Sequence, residues 1–204
     1  HRDLHYPLRR QRQMCIRDRS IEERDHKLHV LEVLESIDLK SLDIEKPLGQ
    51  PKAACRKISE FSDFNNYEDH KLGAVLDFLL KNYRVFDWRH GYLEIDRTLA
   101  DNYAFTEIVG RNGIIKGKDI SLGFVLLSRD TIYPDHFHKY VDETYINIGK
   151  ACRINERKLN AGDIGYIARG QVHRIESHSQ YPAFLLYSWT GMGNSSMEDN
   201  LKFV

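Results

Sequence analysis

Two histidines at alternate positions, His136 and His138, followed by an acidic pair, Asp142 and Glu143, have the residue types and spacing best suited to chemistry in this chain. Residues i and i+2 of a β-strand point to one face. On a strand, His136 and His138 therefore aim two imidazoles into one cavity, and Glu143 follows from the next turn of chain. A third imidazole, His173, ends the stretch GDIGYIARGQVH, behind a glycine-rich turn. Three neutral imidazole nitrogens and one carboxylate suit a divalent transition metal with open positions left for substrate. Fe, Mn, Ni, Co and Zn all accept such a donor set, which does not choose among them. A lone histidine on an apolar strand is usually a satisfied core residue. His70, His90 and His178 have no partner at ligand spacing and fall in that class.

The paired segments resemble the two cupin motifs. Residues 136–149 follow the first, His-x-His, a short spacer, Glu, a strand and a Gly. In residues 162–173, Gly162, Ala168-Arg169-Gly170 and His173 stand where the second has Gly, Pro-x-Gly and His, so only the proline is replaced. The resemblance implies a mainly β fold, a cupin barrel (double-stranded β-helix, or jelly roll). It also implies that His136, His138, Glu143 and His173 are metal ligands.

A narrower resemblance, over roughly residues 103–191, is to the bacterial dimethylsulfoniopropionate lyases of the cupin type. Tyr133-Pro134 precede the His-x-His, Asp142-Glu143-Thr144-Tyr145 follow it, and Leu185, Tyr187, Trp189 and Gly191 match the closing strand. This likeness implies a metal-dependent carbon-sulfur lyase that splits dimethylsulfoniopropionate into dimethyl sulfide and acrylate, by proton abstraction and β-elimination. It makes Tyr145 the base, with Tyr133 the next catalytic candidate. A phenol titrates at about 10 and needs a cation nearby to serve as a base. Tyr133, Tyr187 and Trp189 are the implied substrate-binding residues, whose rings would hold the sulfonium by about 0.5–2 kcal/mol each. The spacer from His138 to Glu143 is one residue longer than is usual in these lyases. An ungapped alignment would instead put Asp142 at the ligand position and Thr144 at the tyrosine position. The assignment to Glu143 and Tyr145 keeps the acidic-acidic-x-Tyr order intact. Two other readings stand beside the lyase: a cupin oxygenase or isomerase acting on another small substrate, and a non-catalytic cupin that binds a small molecule.

The elements that must position these residues are short strands. Ser121–Leu127, Tyr145–Ile148, Ile164–Ala168 and Ala183–Trp189 alternate with turn signals, and Asn112-Gly113 marks a tight turn after Phe105–Val109. This texture predicts an all-β barrel or sandwich. Ahead of it, Val30, Leu31, Leu34 and Ile37 keep helical spacing. Leu72, Val75, Leu76, Leu79, Leu80 and Tyr83 predict a helix over about 69–84, its stripe packed on the barrel or on a partner subunit. Pro47, Gly49 and Pro51 break the stretch between. The expected organisation is a helical extension over 26–100 and the barrel over 101–204. Residues 1–25 lack a sustained apolar period, and QRQMCIRDRS resembles translated sequencing-adapter read-through. They are expected to be disordered or artefactual.

Thirty basic and thirty acidic residues leave a formal net charge of zero, which argues against a nucleic-acid partner. Three unevenly spaced cysteines form no disulfide framework and favour a reducing compartment. No apolar run approaches the ~18 residues of a membrane span. The expected setting is the cytoplasm, with a small-molecule substrate, no membrane or nucleic-acid partner, and a homodimer as a candidate assembly.

Overall fold

The computed structural model of the protein describes residues 5–37, 52–56, 58, 70–91, 95–191, 193 and 200–204; of residues 5–19 and 70 only the backbone is described. Helix α1 (His5–Ser36) is followed by α2 (His70–Asn82), a 3-10 turn at Tyr83–Val85, β1 (Trp88–Arg89) and α3 (Arg97–Asn102). The strands that follow are β2 (Tyr103–Gly110), β3 (Ile115–Lys116), β4 (Ile120–Leu127), β5 (Ile132–His138), β6 (Asp142–Asn147) and β7 (Ala151–Ile154). Then come β8 (Arg157–Asn160), β9 (Ile164–Ile167), β10 (His173–Ser177), β11 (Ala183–Thr190) and β12 (Leu201–Phe203). Among the described residues they form two sheets. One runs β1-β2-β4-β11-β6-β9 with β3 beside β2, and the other runs β12-β5-β10-β7-β8. Two facing, mostly antiparallel sheets with strands exchanged between them make the double-stranded β-helix of the cupins, preceded by helices, as the sequence leads one to expect.

Register carries the order of the interior. Antiparallel pairing sets Glu107, Gly123, Tyr187, Tyr145 and Gly165 side by side in one row across the first sheet. The next row on the same face holds Ser121, Trp189, Glu143 and Ile167. The row on the other side holds Phe105, Val125, Leu185 and Asn147. The alternate residues of the same strands point outward, where Phe124, Leu126 and Phe184 share a buried cluster with Leu76 and Leu79 of α2. Both faces of β4 and β11 are therefore covered. That is why ISLGFVLL and AFLLYSWT read as nearly continuous apolar runs instead of alternating ones. The apolar stripe of α2 goes to the barrel.

One expectation needs adjustment. The backbone from His5 onward is helical and continuous with the rest of α1, where disorder was expected. Its Arg, Gln, Met, Leu and Glu residues are good helix formers, so local propensity suffices without an apolar face. From Ser20 on, α1 meets the barrel chiefly at buried His26, whose Nδ1 lies 2.7 Å from Thr190 Oγ1, while Ile21, Leu28 and Leu31 stay exposed. At Asn112-Gly113 the chain turns tightly, as expected. The chain coils back so that Gly113 and Gly117 both donate to the Gly110 carbonyl, and β3 pairs with β2 in parallel. Pro47, Gly49 and Pro51 lie outside the described residues. Among the described residues no helix is long and apolar enough to cross a membrane.

Burial of α2 gives a direct test of this packing. Leu79 is fully buried, so Leu79→Ala should lower the unfolding free energy by about 2–5 kcal/mol in urea titrations. Leu31→Ala, at a position of α1 that stays 54% exposed, should cost roughly 0.5 kcal/mol or less. Equal losses at the two positions would contradict the docking of α2.

Candidate metal centre

The two sheets meet at four side chains. β5 and β10 pair with His173 opposite His136, and strand alternation turns His138 to the same side. Glu143 reaches the same point from β6 of the other sheet. Imidazole nitrogens of His136, His138 and His173 lie within 4.8 Å of one another. Glu143 Oε2 is 3.1 Å from His173 Nε2 and 3.4 Å from His138 Nε2. All four side chains are buried, and the three Nε2 atoms and Glu143 Oε2 have no hydrogen-bond partner among the described residues. Each such buried atom costs about 1–3 kcal/mol if left unmatched. Four of them facing one point fit a bound divalent cation, which would match all four at once.

The remaining atoms of these residues are held. His136 donates Nδ1–H to the Pro134 carbonyl at 2.7 Å, and His173 Nδ1 lies 3.2 Å from the Gln171 carbonyl. These bonds turn the Nε2 lone pairs inward. His138 Nδ1 is 3.2 Å from Asn200 Nδ2, while Asn200 Oδ1 accepts the Tyr140 N–H at 3.0 Å. Trp189 donates its indole N–H to Glu143 Oε1 at 2.5 Å, which presents Oε2 to the imidazoles. Gly170 supplies the bend of the second motif. Its φ of 75° lies in the left-handed region, and its N–H reaches the His138 carbonyl at 2.7 Å. Burial, then the charges of His173 and His138, lowers His136 to about 3, so its imidazole is neutral at physiological pH. Burial pushes the Glu143 carboxyl upward, but the facing imidazoles of His138 and His173 outweigh it and hold the group well below the usual carboxylate range.

Asp142 points away from this cluster. It accepts the Arg169 N–H at 3.1 Å and the Tyr166 hydroxyl at 3.2 Å, and it pairs with the Arg169 guanidinium. The structure thus brings Glu143, not Asp142, to the imidazoles. His90 and His178 are elsewhere: His90 stacks near Tyr103, and His178 stacks on Tyr181 at 4.3 Å.

Tyr133, Tyr145, Tyr187 and Trp189 all line the cavity, together with His136, His138 and Glu143. Tyr133 packs edge-on against His136 at 4.6 Å, and the Tyr145 ring lies 6.3 Å from that of His173. Burial, then Glu143, pushes the Tyr145 phenol well above its ordinary value. Sequence reasoning missed Tyr103 and Phe105, which also line the cavity. Their i, i+2 spacing on β2 is the signal that was there to read. It also missed Asn200 behind His138 and the hydrogen bond from Trp189, which depend on register and leave no local trace.

Comparison with known proteins follows the same lines. The family model for dimethylsulfoniopropionate (DMSP) lyase matches residues 26–185. A protein of Cereibacter sphaeroides that carries the name dimethylsulfoniopropionate lyase DddL is 38% identical over 105 residues, which is 51% of this chain and 45% of that protein. The chain therefore spans less than half the length of that relative. The crystal structure of the DMSP lyase DddQ from Ruegeria pomeroyi superposes with a TM-score of 0.68 at 16% identity, covering 95% of each chain. A structure from a study of the DMSP lyases RdDddP and RnDddQII gives 0.67 at 15% identity, covering 83% of this chain and 86% of that one. At these identities the two structures speak to the fold alone.

The geometry makes distinct demands on each donor. His136→Ala, His138→Ala and His173→Ala should each lose bound metal in elemental analysis, since three donors hold a divalent ion less well than four. Glu143→Ala should lose metal while Asp142→Ala retains it; the reverse result would remove Glu143 from the centre. Trp189→Phe, which leaves Glu143 Oε1 without its donor, should weaken metal affinity by roughly ten- to a hundredfold in competition titrations.

Proposed function

This chain belongs to the dimethylsulfoniopropionate lyase family, and from that premise we propose that it cleaves dimethylsulfoniopropionate to dimethyl sulfide and acrylate in the aromatic cavity between its sheets. The observation that carries the reading is the convergence of four buried, unpartnered donor atoms, those of His136, His138 and Glu143 on residues that line that cavity and that of His173 behind them. His136, His138, His173 and Glu143 are the residues that would hold a divalent ion. When bound, that ion would supply Lewis-acid polarisation of the substrate carboxylate.

The protein's own groups handle the proton and the leaving group. Tyr145 stands two residues beyond Glu143 on the inward face of β6. In the proposed reaction it takes the proton from the carbon next to the carboxylate. The electron pair of that C–H bond becomes the new C=C bond, and the pair of the C–S bond leaves on sulfur. Dimethyl sulfide departs neutral, acrylate keeps the carboxylate, and the proton remains on the phenol oxygen. Burial and Glu143 disfavour a phenolate at this position, so the base role requires added positive charge nearby. Tyr133, in contact with His136, is the second candidate for the same role. The rings of Tyr133, Tyr187 and Trp189 offer faces to the sulfonium, each by about 0.5–2 kcal/mol. The apolar walls also keep water from competing for the proton.

The activity is tested by giving dimethylsulfoniopropionate to purified, metal-reconstituted protein and measuring headspace dimethyl sulfide against acrylate. Equal amounts of both are expected, and absence of dimethyl sulfide would overturn the lyase reading. Tyr145→Phe keeps the ring volume and should keep the metal, while turnover falls by roughly two to four powers of ten. Turnover within a few-fold of the parent would take Tyr145 out of the mechanism and pass the role to Tyr133.

A further inference from the structure

One residue of the cavity wall is a glycine that neither its backbone nor its packing requires. Gly91 is buried and lines the cavity with Tyr103, Tyr133 and Leu201. It follows β1, two residues beyond Arg89, which pairs with Phe105 of the same wall. Other glycines of the barrel have a local reason. Gly170 holds a φ of 75°, a Cβ on Gly113 would lie 2.5 Å from the Ile108 carbonyl oxygen, and one on Gly123 would lie 1.8 Å from that of Thr106. The φ of Gly91 is outside the left-handed region. Among the described residues, the atoms nearest to a Cβ built on it are Leu201 Cδ2 and the hydroxyl oxygens of Tyr103 and Tyr133. Each is 3.8 Å away, an ordinary van der Waals contact.

A glycine that alanine could replace without strain lowers stability, because it leaves the unfolded chain more freedom. Positions that break a local rule in this way are where function is expected. The three atoms around the missing Cβ all belong to residues of the cavity, so the space left open is cavity space. The result is a recess in the wall between two phenol oxygens and a leucine methyl. The rings of Tyr103 and Tyr133 lie 4.4 Å apart, which brings both oxygens to the one recess. Neither those oxygens nor the methyl carries a positive charge to hold a carboxylate. Methyl groups on a sulfonium carry partial positive charge and make C–H···O contacts with oxygen. We propose that Gly91 is a specificity-determining residue: the recess takes one methyl group of the cationic end of the substrate, and the missing side chain sets how large that end can be. The inference rests on the lyase reading for the identity of the ligand, a dimethylsulfonium whose carboxylate turns toward the metal-binding residues.

The test compares three ligands that differ only at the cationic end: 3-aminopropionate and its N,N-dimethyl and N,N,N-trimethyl derivatives. All are cationic at neutral pH and have poor leaving groups. Affinities are measured by calorimetry on the metal-reconstituted full chain. Gly91→Ala should bind the trimethyl ligand roughly five- to fiftyfold more weakly than the parent does, with a smaller loss for the dimethyl ligand. Its affinity for 3-aminopropionate should stay within about twofold of the parent's. In urea titrations its unfolding midpoint should match or exceed the parent's. An equal loss for all three ligands, or no loss for any, overturns the inference, as does a parent that binds none of them. A lowered midpoint, or a variant that fails to fold, overturns it too, because the fold itself would then require the glycine. A graded loss in a protein that releases no dimethyl sulfide sinks the lyase reading and leaves the recess standing. Release of dimethyl sulfide with an ungraded loss does the reverse.

Discussion

The structure depends on one electrostatic demand: three imidazole nitrogens and a carboxylate oxygen, all buried, have to face one another across the gap between two sheets. Such a group is unfavourable in an apolar barrel unless every other polar atom around it is tied down. The surrounding chain meets that demand. Carbonyls of Pro134 and Gln171 hold two of the rings, the Trp189 indole holds the carboxylate, and the Gly170 turn fastens to the His138 carbonyl. Three donors come from one sheet and one from the other, so the centre also fixes how the sheets face each other.

The same lattice that carries the donors supplies the rest of the cavity. Because strand alternation is strict, Tyr187 and Tyr145 fall in one row and Trp189 and Glu143 in the next. A one-residue slip of β6 would turn Asp142 and Thr144 inward and take Glu143 and Tyr145 away. The outward contacts of Asp142 with Arg169 and Tyr166 oppose that slip, since they would be lost with it. An acidic pair thus has two separate duties. One member serves the interior and the other locks the register that puts it there.

Much of this was legible in the chain because it is local. The His-x-His and its third imidazole are a spacing, and so is the amphipathic stripe from Leu72 to Tyr83. The apolar runs of β4 and β11 mark strands without saying which face is inside, because both faces are covered. What could not be read depends on register between distant segments. Glu107 beside Tyr187, Trp189 on Glu143 and Asn200 behind His138 are each brought together by strand pairing or by a tertiary turn, with no motif to announce them. The helical backbone from His5 onward escaped notice for another reason. Charged residues with good helix propensity carry no apolar period, and periodicity was the signal being followed.

The strand that flanks the metal-binding histidines has its outer neighbour late in the chain. β12 pairs Leu201 with His138 and Phe203 with His136, and among the described residues it is the outermost strand of that sheet. During synthesis, β5 exists long before residues 201–203 have left the ribosome. Until then it offers an open row of backbone donors and acceptors, the kind of edge on which a second nascent chain can add a strand. The histidines and the aromatic wall are all made by that point, but the edge is closed only when β12 arrives. Arrival of β12 is therefore the step that ends the exposure of this edge to intermolecular pairing, and a chain lacking that strand would keep the edge open.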